Sequence, residues 1–128
     1  AGLQVSGAGY GIVIGYLNGA TEAGWRAGTQ VKQVILDPGF GFAKTLDQNY
    51  ELLAHLHTLT DLGCPILAGI SRKSMIYKAL DTDPADALTG TIALHWECLR
   101  QGASILRVHD TREASQVIRL WEKLRKNS

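Results

Sequence analysis

The chain has 128 residues, of which 45% are hydrophobic and 20% are charged, and its net charge is +1. These values are typical of one water-soluble globular domain and exclude a chain-wide basic surface for nucleic acid. No apolar run approaches the roughly 18–20 residues of a membrane span, so we expect no membrane partner.

The N-terminus and the cysteines both favour the cytoplasm. No basic region followed by an apolar core begins the chain, so we expect no secretory signal. Because the sequence does not begin with an initiator methionine, we expect a processed, trimmed or fragmentary chain. Cys64 and Cys98 form no C-x-x-C pair and have no metal-binding spacing to a histidine, so we expect reduced, packed thiols and no metal site.

The first half of the chain is predicted to contain two helices and one strand. Residues 1–10 have no clear period and stay unassigned, and Gly11 to Ala27 is a helix candidate with apolar residues near one face. Val34 to Asp37 is an apolar run typical of a buried parallel strand. The next helix has Asp47 as its N-cap, carries leucines at helical spacing, and stops at Gly63.

The second half repeats the alternation of strand and helix. Its predicted elements are a strand over 65–70, a short amphipathic segment to Leu80, a helix from Asp83 and Pro84 to Gly102, a strand over 104–109, and a last helix capped by Asp110 or Thr111. Strands alternating with helices predict an α/β fold with right-handed crossovers and parallel pairing. The carboxyl ends of parallel strands then meet at one edge of the sheet.

Polar groups follow each of the three predicted strands. The first strand ends at Asp37, beside two phenylalanines whose rings we expect to be exposed. The second ends in the run 71–74, Ser-Arg-Lys-Ser, and the third carries Arg107 and His109 on one face. This edge is predicted to bind a flat ligand with hydrogen-bond donors at one end and an anion at the other.

Each of these residues also has a plain structural interpretation. Asp37 can be a solvated acid in a strand-to-helix turn, and Lys73 can be a solvated lysine. His109 can be a structural histidine whose ring nitrogens are hydrogen-bonded within the protein, and Arg72 can point into solvent. The convergence of all three strand ends favours a binding site over these separate interpretations.

Three motifs carry a resemblance to a known family. They are Leu36-Asp37-Pro38-Gly39-Phe40-Gly41-Phe42-Ala43-Lys44, Gly69-Ile70-Ser71-Arg72-Lys73-Ser74 and Arg107-Val108-His109-Asp110. In this order and spacing they resemble dihydropteroate synthase, from about residue 30 to the C-terminus. The resemblance implies a TIM (β/α)8 barrel, of which residues 1–128 form a partial pterin-binding domain covering roughly the last three βα units. It also implies that p-aminobenzoate condenses with 7,8-dihydropterin-6-ylmethyl diphosphate, giving dihydropteroate and diphosphate in folate biosynthesis.

The resemblance assigns roles to the residues at the sheet edge. Asp37 is expected to accept hydrogen bonds from the amino-pyrimidine edge of the pterin, and Lys73 to lie near both the pterin and the p-aminobenzoate pocket. Gly69 leaves room for the flat ring. Arg107 is expected to border the pterin face and, with His109, to bind the diphosphate.

The remaining implied contacts belong to p-aminobenzoate. Phe42 is expected to line its pocket and Ser74 to lie close to its carboxylate, and sulfonamides are expected to mimic it there. The implied substrate-binding set is Asp37, Phe42, Gly69, Ser71, Arg72, Lys73, Ser74, Arg107 and His109. Of these, Lys73, Arg107 and His109 are expected to be catalytic.

The chain departs from the family in what it lacks. The family has eight strands, and its early loops supply an asparagine that holds Mg²⁺ and diphosphate. We find neither that motif nor the further pterin-binding residues of those loops in this sequence. The resemblance therefore implies Mg²⁺ as a cofactor, but the asparagine expected to bind it is not in this chain. Three strands cannot close a barrel and leave exposed sheet edges, so we expect no turnover by this chain alone.

Two alternatives stay open. One is a non-catalytic half-barrel that binds a pterin or an anion, and the other is a related pterin-binding methyltransferase domain. The expected partners are small-molecule substrates, without nucleic acid. A homodimer through the late helices is expected by analogy.

Overall fold

A computed structural model of the chain describes residues 4–8, 10–14 and 35–128. The strands are β1 (Gln4–Ala8), β2 (Tyr10–Ile14), β3 (Leu67–Ala68) and β4 (Ile105–Val108). The α-helices are α1 (Leu46–Ala54), α2 (Ser74–Ala79), α3 (Leu88–Arg100) and α4 (Thr111–Lys126), and 3₁₀ turns cover Leu56–Leu62 and Pro84–Asp86. In this part of the chain, no helix is both long and apolar enough to cross a membrane.

The three predicted parallel segments lie side by side. β3 pairs in parallel with β4, and Leu36 forms a parallel bridge to Ile66, just before β3. Of the first predicted strand, Val34 lies outside the described residues, and within 35–37 this one bridge is formed. Pro38, which has no N–H to donate, and Gly39, with a φ of 73°, then end the extended backbone. The predicted parallel order is therefore confirmed, while β3 is shorter than the strand predicted over 65–70.

The helix predicted over Gly11 to Ala27 is wrong for its first residues. Residues 11–14 belong to β2, which pairs antiparallel with β4, and β1 pairs antiparallel with β2. The run Ile12-Val13-Ile14 is β-branched, and such side chains favour extended backbone. Residues 15–27 lie outside the described part of the chain. β2 also covers the edge of β4 that the sequence predicted to be exposed.

The first helix is capped by Thr45 and not by Asp47. The Thr45 hydroxyl accepts from the Gln48 N–H at 3.1 Å, and the Gln48 side chain accepts from the Thr45 N–H at 2.9 Å. This reciprocal capping box satisfies two backbone donors and leaves Asp47 in the first turn. The helix ends at Ala54, and the leucines that follow lie in the 3₁₀ turn, which stops at Gly63 as predicted.

The third helix also begins later than predicted. Asp83 and Pro84 start only the short 3₁₀ turn, and α3 begins at Leu88. Its inner face packs against α4, where Trp96 and Trp121 meet edge to face with ring centroids 5.3 Å apart.

The core lies between the sheet and the helices. Its largest fully buried apolar side chains are Phe40, Leu56, Ile66, Ile70, Met75, Ile76, Leu106, Val108 and Ile118. Each such side chain contributes about 1.5–3 kcal/mol by leaving water, so this cluster fixes β3 and β4 and the loops that follow them. Cys98 is buried in the same cluster, and both Cys98 and Cys64 are free thiols.

Candidate functional site

Asp37 and Arg107 meet across the edge of the sheet. The Arg107 Nη2 donates to the Asp37 Oδ2 at 3.1 Å, although the two residues are 70 positions apart in sequence. Both side chains are 36% exposed, so the pair is open to a ligand. Gly69 lies under it, because a Cβ atom built there would stand 3.4 Å from the Arg107 Nη1.

Lys73 lies beside this pair. Its Nζ donates to the Phe40 carbonyl at 2.5 Å and stands 5.4 Å from the centroid of the Phe42 ring. Burial lowers the pKa of Lys73 below its ordinary value, and the nearby Asp37 carboxylate offsets part of that effect. The ammonium group therefore lies over the Phe42 ring, close enough to Asp37 and Arg107 for their charges to act on its pKa.

The loop between Leu36 and α1 is held in shape by hydrogen bonds between its side chains and its backbone. The Gly39 N–H donates to the Asp37 carboxylate at 2.9 Å, and the Lys44 Nζ donates to the Gly39 carbonyl at 2.8 Å. Gly39 and Gly41 have φ of 73° and 89°, in the left-handed region that glycine adopts without strain. These bonds fix the direction of the Asp37 side chain.

The two phenylalanines of this loop differ from each other. Phe42 is 70% exposed, as predicted, while Phe40 is 1% exposed, so its predicted exposure is wrong. Phe40 packs in the core because the turn at Gly39 sends its ring inward. Of these two rings, the Phe42 ring is the one exposed to a ligand.

Asn49 supports the same loop and was not predicted from the sequence. Its Oδ1 accepts from the Gly41 N–H at 2.8 Å, and its Nδ2 donates to the Thr45 carbonyl at 3.0 Å. Asn49 is 3% exposed, and a buried polar residue on a helix is the signal that points to such a role.

Ser71 and His109 connect the second and third strand ends. The buried Ser71 hydroxyl accepts from the His109 N–H at 3.1 Å and lies 2.9 Å from the His109 Nδ1. The His109 side chain is exposed. Ser71 thereby fixes the direction in which the imidazole is presented.

Arg72 points to a different set of partners. Its guanidinium donates to both carboxylate oxygens of Asp110, at 2.9 and 3.0 Å, and to the Pro84 carbonyl at 2.8 Å. Asp110 is the N-cap residue of α4, as predicted, but its side chain makes no capping bond because both of its oxygens face Arg72. Ser74, the last residue of the predicted run, opens α2 directly after Lys73.

The described residues offer no ready-made cluster of metal ligands. Among them, no three histidine, cysteine, aspartate or glutamate side chains come together as metal ligands. We therefore assign no step to Mg²⁺ on the residues of this site. A cavity of about 310 Å³ lies beside Ser104 and Trp121, at the opposite end of β4 from His109, and does not belong to the site.

The comparisons with known proteins agree with this geometry. Residues 13–109 match the family described as "Pterin binding enzyme". The chain is 43% identical over 97 residues to the dihydropteroate synthase of Escherichia coli, covering 76% of this chain and 34% of that protein. The chain therefore spans about a third of the length of that relative.

Solved structures show the same similarity. The 7,8-dihydropteroate synthase of Vibrio fischeri superposes with a TM-score of 0.74 at 42% identity, over 84% of this chain and 40% of that one. The Yersinia pestis dihydropteroate synthase in a sulfonamide drug complex gives 0.74 at 40% identity, over 84% and 39%.

Two predictions from the sequence are confirmed by these comparisons. The motifs do mark a resemblance to dihydropteroate synthase, and the fold is part of a TIM barrel. With three quarters of its residues matched, the chain belongs to the family of pterin-binding enzymes.

Proposed function

We propose that the complete protein carrying this chain is a dihydropteroate synthase. It would condense p-aminobenzoate with 7,8-dihydropterin-6-ylmethyl diphosphate. The observation that carries the proposal is the hydrogen bond of 3.1 Å between Arg107 and Asp37, with Lys73 close enough to both for their charges to act on its pKa. The dihydropteroate synthases to which the chain is similar support it.

Pterin recognition falls to Asp37. A carboxylate is an acceptor only, and it matches the adjacent N–H donors of an amino-pyrimidine ring with two charge-assisted hydrogen bonds. The bond from the Gly39 N–H holds this carboxylate in direction before the ligand arrives. Gly69, which has no side chain, leaves space for the ring next to the Arg107 guanidinium.

The chemistry rests on stabilising the leaving group. The amine nitrogen of p-aminobenzoate forms a bond to the methylene carbon, while the C–O bond to diphosphate breaks and the diphosphate keeps the electron pair. Negative charge grows on the diphosphate, and Arg107 and His109 donate hydrogen bonds to it as it develops. The nitrogen then loses a proton to solvent. Because the amine itself attacks the methylene carbon, no covalent intermediate with the enzyme is needed.

Phe42 and Lys73 would shape the p-aminobenzoate pocket. The exposed Phe42 ring would offer an apolar face to the benzene ring of p-aminobenzoate. The Lys73 ammonium lies 5.4 Å from the centroid of the Phe42 ring. Ser74 follows Lys73 and would lie near the benzoate carboxylate. A sulfonamide also carries an aniline ring and an anionic group, so it would compete with p-aminobenzoate for this pocket.

The test is a turnover assay with the complete protein. Incubation with both substrates should give dihydropteroate, identified by mass spectrometry, and a sulfonamide should reduce the rate competitively with p-aminobenzoate. Absence of product from a folded protein that holds the missing strands would overturn the proposal. The isolated 128-residue chain serves as a comparison, and we expect no product from it.

A non-catalytic half-barrel is the second candidate. It would use the same exposed Asp37–Arg107 pair to hold a pterin. Pterin binding without turnover, measured by calorimetry on the complete protein, would support it over the synthase. A pterin-binding methyltransferase would lack sulfonamide inhibition.

The assembly, location and metal requirement are further parts of the proposal. A homodimer through the late helices is supported by Leu120 and Leu124 of α4, which are 66% and 55% exposed. Light scattering on the protein and on its Leu120→Glu variant tests this homodimer.

A cytoplasmic location is supported by the free thiols of Cys64 and Cys98 and is tested by cell fractionation. A Mg²⁺ requirement is tested with a chelator, since the described residues bring no three carboxylate, histidine or cysteine groups together.

A further inference from the structure

Arg72 joins three segments of the chain that are far apart in sequence. Its side chain reaches Asp110, after β4, and the Pro84 carbonyl, in the 3₁₀ turn before α3. Its backbone N–H donates to the Thr91 hydroxyl of α3 at 3.1 Å. Thr91 is buried, and its hydroxyl donates a hydrogen bond to the Ala87 carbonyl at 2.6 Å. Arg72 is therefore fixed at both its backbone and its guanidinium.

The backbone of Arg72 has an unusual conformation, which the contacts of its side chain and its N–H hold in place. Arg72 has a φ of 54°, in the left-handed region that residues other than glycine rarely adopt. Strain of this kind persists only where the surrounding contacts over-determine it. The planar guanidinium fork matches both oxygens of a carboxylate, and a lysine ammonium at the same place cannot make that double contact.

The neighbours of Arg72 and Asp110 are groups that the proposed function places against the substrates. Ser71 and Lys73 flank Arg72, and His109 precedes Asp110. The Ser71 contact to His109 and the Arg72 contact to Asp110 are two parallel links between the same two loops. A shift of either loop would move the Lys73 ammonium relative to the His109 imidazole.

We propose that Arg72 is a positioning residue, whose guanidinium holds Lys73 and His109 in register through Asp110. This rests on the proposed function, since the two groups are placed for that reaction. It replaces the sequence-based expectation that the Arg72 guanidinium contacts substrate. Asp110 is the matching half of the pair and acts with it.

A double-mutant cycle on the complete protein separates the two roles. The variants are Arg72→Gln, Asp110→Asn and the pair of both, assayed for kcat and KM. The control is Arg100→Gln, because Arg100 also bonds both oxygens of a carboxylate, that of Glu97 on the same helix. The control should keep wild-type kinetics.

The expected result is a shared loss. Each single variant should lower kcat/KM about tenfold, mainly through kcat, and the double variant should be no worse than the worse single one. A loss after Arg72→Gln with wild-type kinetics after Asp110→Asn would overturn the proposal, because it would mean direct contact of Arg72 with substrate. Additive losses, or wild-type kinetics in both variants, would also overturn it.

Two further variants keep the test decisive if Arg72→Gln does not fold. Arg72→Lys keeps the charge and loses the fork, and Asp110→Glu keeps the charge and displaces it, so each should lower kcat while the protein stays folded. Wild-type kcat in both would overturn the positioning role. A wild-type protein with no turnover would instead overturn the proposed function, so the two failures are distinct.

Discussion

Replacing Asp37 by asparagine should separate ligand recognition from folding. The Asp37–Arg107 pair has an N–O distance of 3.1 Å, but both side chains are 36% exposed. An ion pair so open to water contributes less than about 1 kcal/mol to the free energy of unfolding. An asparagine keeps the shape and can still accept the Gly39 N–H, which donates to Asp37 at 2.9 Å. We therefore expect the unfolding free energy to change by less than about 1 kcal/mol.

The effect on pterin binding should be far larger. A hydrogen bond to a charged acceptor contributes about 1.5–3 kcal/mol, and each 1.4 kcal/mol changes an affinity about tenfold. Losing the carboxylate should raise the pterin dissociation constant roughly 10–100-fold, since an amide also turns a donor toward the donors of the ring.

Calorimetric titration of the complete protein with a dihydropterin diphosphate measures this change. Asp47→Asn is the matched control, because Asp47 is exposed in the first turn of α1 and also carries one negative charge. It should bind the pterin as the wild type does. An unchanged dissociation constant for Asp37→Asn would show that Asp37 does not contact the ligand, and a loss of several kcal/mol of stability would show a structural role instead.

Three further predictions concern stability, space and reactivity. His95 is 2% exposed, and burial lowers its pKa from 6.5 to about 4. Its contribution to the free energy of unfolding is therefore full above about pH 6.5 and is lost as the pH falls toward 4. The loss is about 3 kcal/mol, and His95→Leu should remove this pH dependence in denaturant unfolding curves. Gly69→Ala should change stability by less than about 1 kcal/mol, yet weaken pterin binding about tenfold by filling space beside Arg107. Burial raises the pKa of the Cys98 thiol to about 12, so a thiol reagent should modify Cys64 and not Cys98 in the native protein.

Each of these has an outcome that would contradict it. A His95→Leu protein that still loses stability between pH 6.5 and 4 as steeply as the wild type would show that other groups dominate. Wild-type pterin affinity in Gly69→Ala would show that the ring does not pass over this position. Rapid modification of Cys98 without unfolding would show that its part of the core opens readily.

The strand ends were the part of the site that the sequence could predict. Parallel strands bring their carboxyl ends to one edge whatever the loops do, so Asp37 and Arg107 could be placed together from the alternation of elements alone. Their contact at 3.1 Å follows from that topology. The resemblance to a known family added the roles, which stay predictions until substrates are bound.

The misjudged elements depended on choices that local patterns leave open. The run 11–14 is too short for its period to separate a strand from a helix, and its pairing with β4 decides the matter. The capping box of Thr45 and Gln48 was visible in the sequence, but Asp47 offered a competing cap. The links made by Arg72 to Asp110 and by Asn49 to Gly41 need the tertiary structure, because no local pattern pairs residues 38 or eight positions apart.

A crystal structure of the complete protein with 7,8-dihydropterin-6-ylmethyl diphosphate would be the most direct test. We predict that the pterin ring contacts the Asp37 carboxylate, the Lys73 ammonium and the Arg107 guanidinium together, with the diphosphate beside His109. A pterin bound elsewhere, with these side chains untouched, would contradict the assignment of this sheet edge as the site.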